Sequence, residues 1–156
     1  MLRDAKIQKV GNVRPPHASE QAIRSHCTGC KDCISACPEA ILVTGRGNTP
    51  FVDFNEGGCS FCGVCAEVCK EDIFDLEAAP WQHVALIGEG CFLNLGVACQ
   101  SCTDACDTGA LTFNFRHGPV GSIQANATSC TGCGACLSIC PTKAIDLVPE
   151  KALAHV

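Results

Sequence analysis

Tyrosine is absent from this sequence of 156 residues, tryptophan occurs once, and phenylalanine seven times. The nominal apolar fraction of 47% is inflated by sixteen cysteines. With these set aside, about 37% apolar residues remain, against the roughly 45–50% of an ordinary globular chain. A large aliphatic and aromatic core is therefore excluded, and something other than apolar packing must hold the chain together. There is no apolar run of about 18 residues, so no membrane span is expected. The longest apolar stretch, Val84 to Cys99, is broken by Glu89 and Asn94. The opening Met1-Leu2-Arg3-Asp4-Ala5-Lys6 has neither the apolar centre of a secretory signal nor a twin-arginine pair. A reducing cytoplasm is the expected location, and dense cysteine in that compartment points to metal rather than disulfides.

Excess positive charge is also missing. The formal net charge is −5, which disfavours nucleic acid as a partner. Residues 1–24 run against this trend, with Arg3, Lys6, Lys9, Arg14 and Arg24 against Asp4 and Glu20. They read either as a solvated leader or as a docking arm for an acidic partner.

The cysteines repeat. Cys27, Cys30, Cys33 and Cys37 form C-x2-C-x2-C-x3-C, and Cys59, Cys62, Cys65 and Cys69 repeat it. Cys130, Cys133, Cys136 and Cys140 repeat it again. The remaining four, Cys91, Cys99, Cys102 and Cys106, follow C-x7-C-x2-C-x3-C. All sixteen fall into quartets with none left over. The segments after Cys37, Cys69, Cys106 and Cys140 are β-prone. Turn signals at Thr44-Gly45-Arg46-Gly47-Asn48 and His117-Gly118-Pro119 each predict a strand–turn–strand connection.

This spacing belongs to iron–sulfur chemistry. Three cysteines at steps of three on a curled loop present three thiolates to one cube, and intervening glycines let the backbone approach it. The fourth cysteine sits one helical turn on and faces another way; in two-cluster ferredoxins it binds the neighbouring cluster. The expected sets are Cys27, Cys30, Cys33 with Cys69; Cys59, Cys62, Cys65 with Cys37; Cys91, Cys99, Cys102 with Cys140; and Cys130, Cys133, Cys136 with Cys106. Structural zinc prefers two pairs separated by a longer insert, and disulfides explain neither the spacing nor the compartment. Folding would then depend on metal, as in zinc fingers, where each site contributes about 10–16 kcal/mol. Lys70 and Asp107 replace the proline that follows the fourth cysteine in the other two runs. Among the histidines, only His26, next to Cys27, is a conceivable extra ligand. Trp81 reads as packing at a module boundary.

The expected fold class is therefore α+β: two tandem bacterial-ferredoxin-like modules of short strands and short helices around iron–sulfur clusters. The expected division is a leader over 1–20, one module over 21–78, a second over 79–150 and a tail over 151–156. Val84–Ile87 should open the second module and pair with Ala144–Val148, which closes it. The first should open around Gln21–His26 and close with Ile73–Leu76. The expected cofactors are four [4Fe–4S] clusters. No acid–base pair, activated nucleophile or substrate-pocket signature is present, so the chain reads as non-enzymatic.

Several stretches carry a closer resemblance: Val13-Arg14-Pro15-Pro16, His26-Cys27-Thr28, Cys59-Ser60-Phe61-Cys62, the long Cys91-to-Cys99 step preceded by Ile87-Gly88, and Cys130-Thr131-Gly132-Cys133-Gly134-Ala135-Cys136. In these the chain resembles the ferredoxin-type NapF family, accessory proteins of the periplasmic nitrate reductase system. The resemblance implies a cytoplasmic iron–sulfur protein whose partner is NapA, the catalytic molybdenum subunit, met before export. It implies a role in that subunit's maturation, by electron transfer or cluster assembly. The alternative is a general low-potential electron carrier, or the electron-transfer subunit of a larger oxidoreductase.

Overall fold

The computed structural model describes residues 12–153. The elements are short, as expected for a chain organised by loops. The first half carries α1 (Glu20–His26), α2 (Asp32–Ala36), β1 (Leu42–Thr44), β2 (Pro50–Val52) and α3 (Val64–Glu67). The second carries β3 (His83–Ile87), α4 (Ser101–Asp104), β4 (Leu111–Asn114), β5 (Ser122–Ala125), α5 (Ala135–Ile139), β6 (Ile145–Pro149) and α6 (Glu150–Leu153). Both predicted turns join antiparallel strands: Leu42 pairs with Val52 in one hairpin and Leu111 with Ala125 in the other. The second half is closed by β3 and β6, paired from His83 with Pro149 to Ile87 with Ile145. No two-stranded sheet of the described residues crosses the Ala78–Trp81 segment. The α+β class with tandem ferredoxin-like modules is what the chain adopts.

Two expectations for the first half need correction. Gln21–His26 is helical. Ser19 caps α1 by accepting the Ala22 N–H at 3.0 Å, Glu20 complements the N-terminal dipole, and Ile23, 1% exposed, anchors the helix inward. The Ile73–Leu76 segment forms no strand; Phe74 makes a single bridge with Ala18.

The leader is the second correction. Residues 1–11 lie outside the described residues, as do 154–156 of the expected tail. From Val13 onward, however, the chain is packed rather than solvated. Val13 is buried and its carbonyl accepts the Val52 N–H at 2.8 Å. Arg14 forms an ion pair with Glu20 at 2.6 Å, donates to Thr49 Oγ1 and the Pro50 carbonyl, and lies 3.8 Å above the Phe51 ring. His17 Nδ1 lies 2.9 Å from the Ala78 carbonyl. The cation read as a docking charge is thus spent on the protein's own fold, in a geometry that suits arginine's planar fork.

The apolar residues are too few for one continuous core, and they divide into two clusters. One lies inside the second module: Ala85, Leu111, Ala144 and Ile145 pack with Cys102, Cys136 and Cys140. The other joins the modules: Val13, Ile41, Phe54 and Leu147 are buried together, with Trp81 and Leu137 against them. Trp81 sits edge-on to Phe54 and Phe61, stacks on His83 with centroids 5.1 Å apart, and donates its Nε1–H to the Arg14 carbonyl. The boundary role expected for Trp81 is what its contacts provide.

Candidate metal centre

The cysteine loops turn tightly because one residue between the second and third cysteine adopts positive φ: Lys31 at 70°, Gly63 at 78° and Gly134 at 80°. Each then opens a short helix that carries the third cysteine, so three sulfurs curl around one space. Cys27, Cys30 and Cys33 line one small cavity. Cys59, Cys62 and Cys65 line another. Cys91, Cys99 and Cys102 line a third. The long Cys91–Cys99 loop reaches its cavity because Leu93 is buried and Asn94 Nδ2 ties back to the Gly88 carbonyl.

The fourth wall of each cavity comes from the other run. Cys69 completes the first, Cys37 the second and Cys140 the third. The fourth quartet is seen at Cys136. Burial, then repulsion from Cys133, Cys130, Cys102 and Cys106, pushes its thiol up to about 12. Elsewhere, burial followed by Cys69 and Cys30 pushes the Cys33 thiol up to about 11, and burial with Cys59 does the same to Cys65. Burial, then Cys91, also raises Cys102 to about 11. Crowded, desolvated thiolates need a cation among them.

The donor chemistry fits an iron–sulfur cube. Each ring offers four sulfurs, which suit iron–sulfur centres. Among the described residues no three His, Cys, Asp or Glu side chains converge tightly enough to hold a single metal ion; each of the three cavities has four cysteines on its wall, the number one cube needs. Backbone N–H groups point at the sulfurs, Phe61 to Cys59 at 3.4 Å and Ala144 to Cys140 at 3.4 Å. Burial works against the Cys106 and Cys140 thiolates but is outweighed. The Leu111 N–H and the Thr108 hydroxyl act on the first, the Thr142 hydroxyl and the Ala144 N–H on the second, and both thiols lie below their ordinary range.

The quartets are also in sequence with one another. Cys33 acts on Cys65 within the first module and Cys102 on Cys136 within the second. Between modules, the Cys59 N–H donates to the Cys133 carbonyl at 2.8 Å. The four sites therefore form a chain with the second and fourth quartets at its middle.

Sequence reasoning missed two supports. His83 is 6% exposed, and its Nε2 lies 3.0 Å from the Gly132 carbonyl in the fourth quartet's loop. A Cβ on Gly132 would come within 2.6 Å of the His83 ring. Phe54 fills the space over Gly134, where a Cβ would lie 2.1 Å from its ring. The one available signal was His83 leading directly into the β-prone Val84–Ile87. His26 is exposed and lines none of the three cavities described above.

Fold and quartets define an iron–sulfur protein of the two-module ferredoxin type, and two matches to the 4Fe-4S dicluster domain fall on residues 26–74 and 97–144. Two such domains and sixteen cysteines give four [4Fe–4S] clusters. The chain is 37% identical to the ferredoxin-type protein NapF of Escherichia coli K12 over 135 residues, 85% of this chain and 82% of that one. It is 37% identical to NapF of Haemophilus influenzae over 148 residues, 94% of this chain and 84% of that one. Ferredoxin-type protein NapG of E. coli K12 is 30% identical over 151 residues, covering 82% and 65%. The chain belongs to the NapF family of ferredoxin-type proteins. As such it is an iron–sulfur electron carrier. Among the described residues no helix is long and apolar enough to cross a membrane.

Proposed function

We propose that the sixteen cysteines ligate the four clusters in crossed sets. Cys27, Cys30, Cys33 and Cys69 form one and Cys59, Cys62, Cys65 and Cys37 its neighbour. Cys91, Cys99, Cys102 and Cys140 form the third, and Cys130, Cys133, Cys136 and Cys106 the fourth. The observations that carry this are three cavities, each walled by three cysteines of one run and the last cysteine of another, and, for the fourth set, Cys130, Cys133 and Cys106 acting together on Cys136. Each module, near residues 21–78 and 79–150, then holds two clusters close enough for an electron to pass.

The protein acts, without catalytic chemistry of its own, as a cytoplasmic accessory to the catalytic subunit of periplasmic nitrate reductase, NapA, before that subunit is exported. It passes electrons to it or supports assembly of its cluster. Likeness to NapF over most of both chains supports this reading. Four thiolates around an oxidised cube leave about −2 per site, so the loaded body is strongly acidic, and Arg14 is internally paired. Partner recognition therefore rests on the cysteine-loop surface or on residues 1–11, where Arg3, Lys6 and Lys9 lie. Anaerobic affinity purification of the intact tagged protein from cells making the reductase tests this. NapA should co-purify from the cytosolic fraction. Its absence, with cluster content intact, would favour a general low-potential carrier.

A further inference from the structure

Cys37, Cys69, Cys106 and Cys140 end their runs, and the residue two positions beyond each differs by module. In the first module it is Glu39 and Glu71; in the second it is Thr108 and Thr142. Both threonine hydroxyls face sulfur, Thr108 Oγ1 at 3.6 Å from Cys106 Sγ and Thr142 Oγ1 at 3.6 Å from Cys140 Sγ. Against a thiolate, a hydroxyl can only donate. Ser101 repeats the arrangement at Cys99, 3.7 Å away. At Cys69 in the first module the geometry is reversed. Cys69 Sγ lies 3.5 Å from the Glu71 carbonyl oxygen, which repels a thiolate. Glu71 lines the same cavity as Cys69, and Glu39 the same cavity as Cys37.

We infer that these four positions set the two modules at different reduction potentials, and that an electron entering the first module runs one way into the second. The inference rests on the ligand assignment above. Reduction adds negative charge around the cluster sulfurs. A hydrogen bond to a ligand sulfur favours that charge and raises the potential; a carboxylate at the cavity wall opposes it and lowers the potential. Solvent at the exposed Cys30 and Cys62 favours reduction of the first module; Glu39 and Glu71, one on the rim of each of its cavities, oppose it. One electron from a low-potential one-electron donor then moves from the first module to the second, whose centre is reduced as the first is reoxidised, with no proton transferred. The Cys59 N–H to Cys133 carbonyl bond brings the second and fourth quartets' loops into contact.

The test is a dithionite titration of the anaerobically purified full chain, followed by electron paramagnetic resonance, with iron measured on each sample. Reduction should occur in two steps. Replacing both threonines (Thr108→Val with Thr142→Val) should move the higher step down by about tenfold in reduction equilibrium, about 59 mV for one electron, and Thr→Ser at both positions should restore it. Glu39→Gln with Glu71→Gln should raise the lower step and leave the higher one alone. Unmoved midpoints in loaded variants, or a Glu→Gln shift confined to the higher step, would overturn the inference. If the valine variants lose iron, the exposed glutamate pair decides alone. Fewer than four clusters in the unmodified chain would instead overturn the ligand assignment, and the relay with it.

Discussion

The two modules share a cysteine pattern and differ in what surrounds it. In the first, Cys30 and Cys62 are exposed and only Cys33 is buried; in the second, Cys102, Cys136 and Cys140 are buried and none is exposed. The second is closed by a five-residue strand pair and packs its cysteines into an apolar cluster. The first replaces that closure with α1, a single bridge and a strap made by Val13 to His17. The same run of ligands can therefore sit at an open, solvent-exposed site or form part of a core. What decides is the neighbouring apolar sequence, not the cysteines.

Single-ligand changes should break this comparison most. Cys136→Ser removes a ligand and a core side chain together, so the second module should lose both its clusters and its fold. Cys30→Ser, at an exposed position, should cost about one cluster, some four iron atoms, and leave the second module's circular dichroism unchanged. Iron analysis with far-ultraviolet spectra on the two variants would separate these outcomes. Equal losses would mean that the modules are not differently built.

The junction comes next. Phe54→Ala should destabilise by about 3–5 kcal/mol, because Phe54 is buried among Trp81, Leu147 and the Gly134 backbone. Gly58→Val, whose Cβ would lie 2.7 Å from the Ala135 backbone nitrogen, should cost about 1–3 kcal/mol by overpacking. Anaerobic thermal unfolding should show one transition in the unmodified chain and two in Gly58→Val.

Acid should act on the second module through His83. Burial holds its imidazole below the ordinary 6.5, against the Gly132 carbonyl bond, which raises it. The folded form therefore binds fewer protons than the unfolded chain around that pH. Stability is whole above pH 6.5 and falls as the pH drops through it. His83→Gln should flatten that fall in thermal melts at a series of pH values. The smallest effect is expected at Lys31, whose φ of 70° suits glycine. Lys31→Gly should relieve about 1 kcal/mol of backbone strain in the first module, and an unchanged melting temperature would count against it.

The cysteine quartets and both hairpins were legible because their signals are local: fixed spacings and glycine-rich turns. The pairing of β3 with β6 was legible too, since Val84–Ile87 and Ile145–Val148 are the β-prone ends of one repeat. The helix at Gln21–His26 was not read, because its one buried apolar residue, Ile23, gives no periodicity and the signal lay in the Ser19 cap. The contacts of Arg14 with Thr49, His17 with Ala78, Phe54 with Gly134 and His83 with Gly132 each join residues at least 35 positions apart in sequence. No local pattern encodes such contacts.

The central claim is that each cluster draws its ligands from two runs. Anomalous diffraction at the iron edge, from anaerobically grown crystals of the full chain, tests it directly. Four iron-rich sites should appear, with Cys69 on the site of Cys27, Cys30 and Cys33, and Cys37 on that of Cys59, Cys62 and Cys65. Iron held by Cys59, Cys62, Cys65 and Cys69 together would contradict the account.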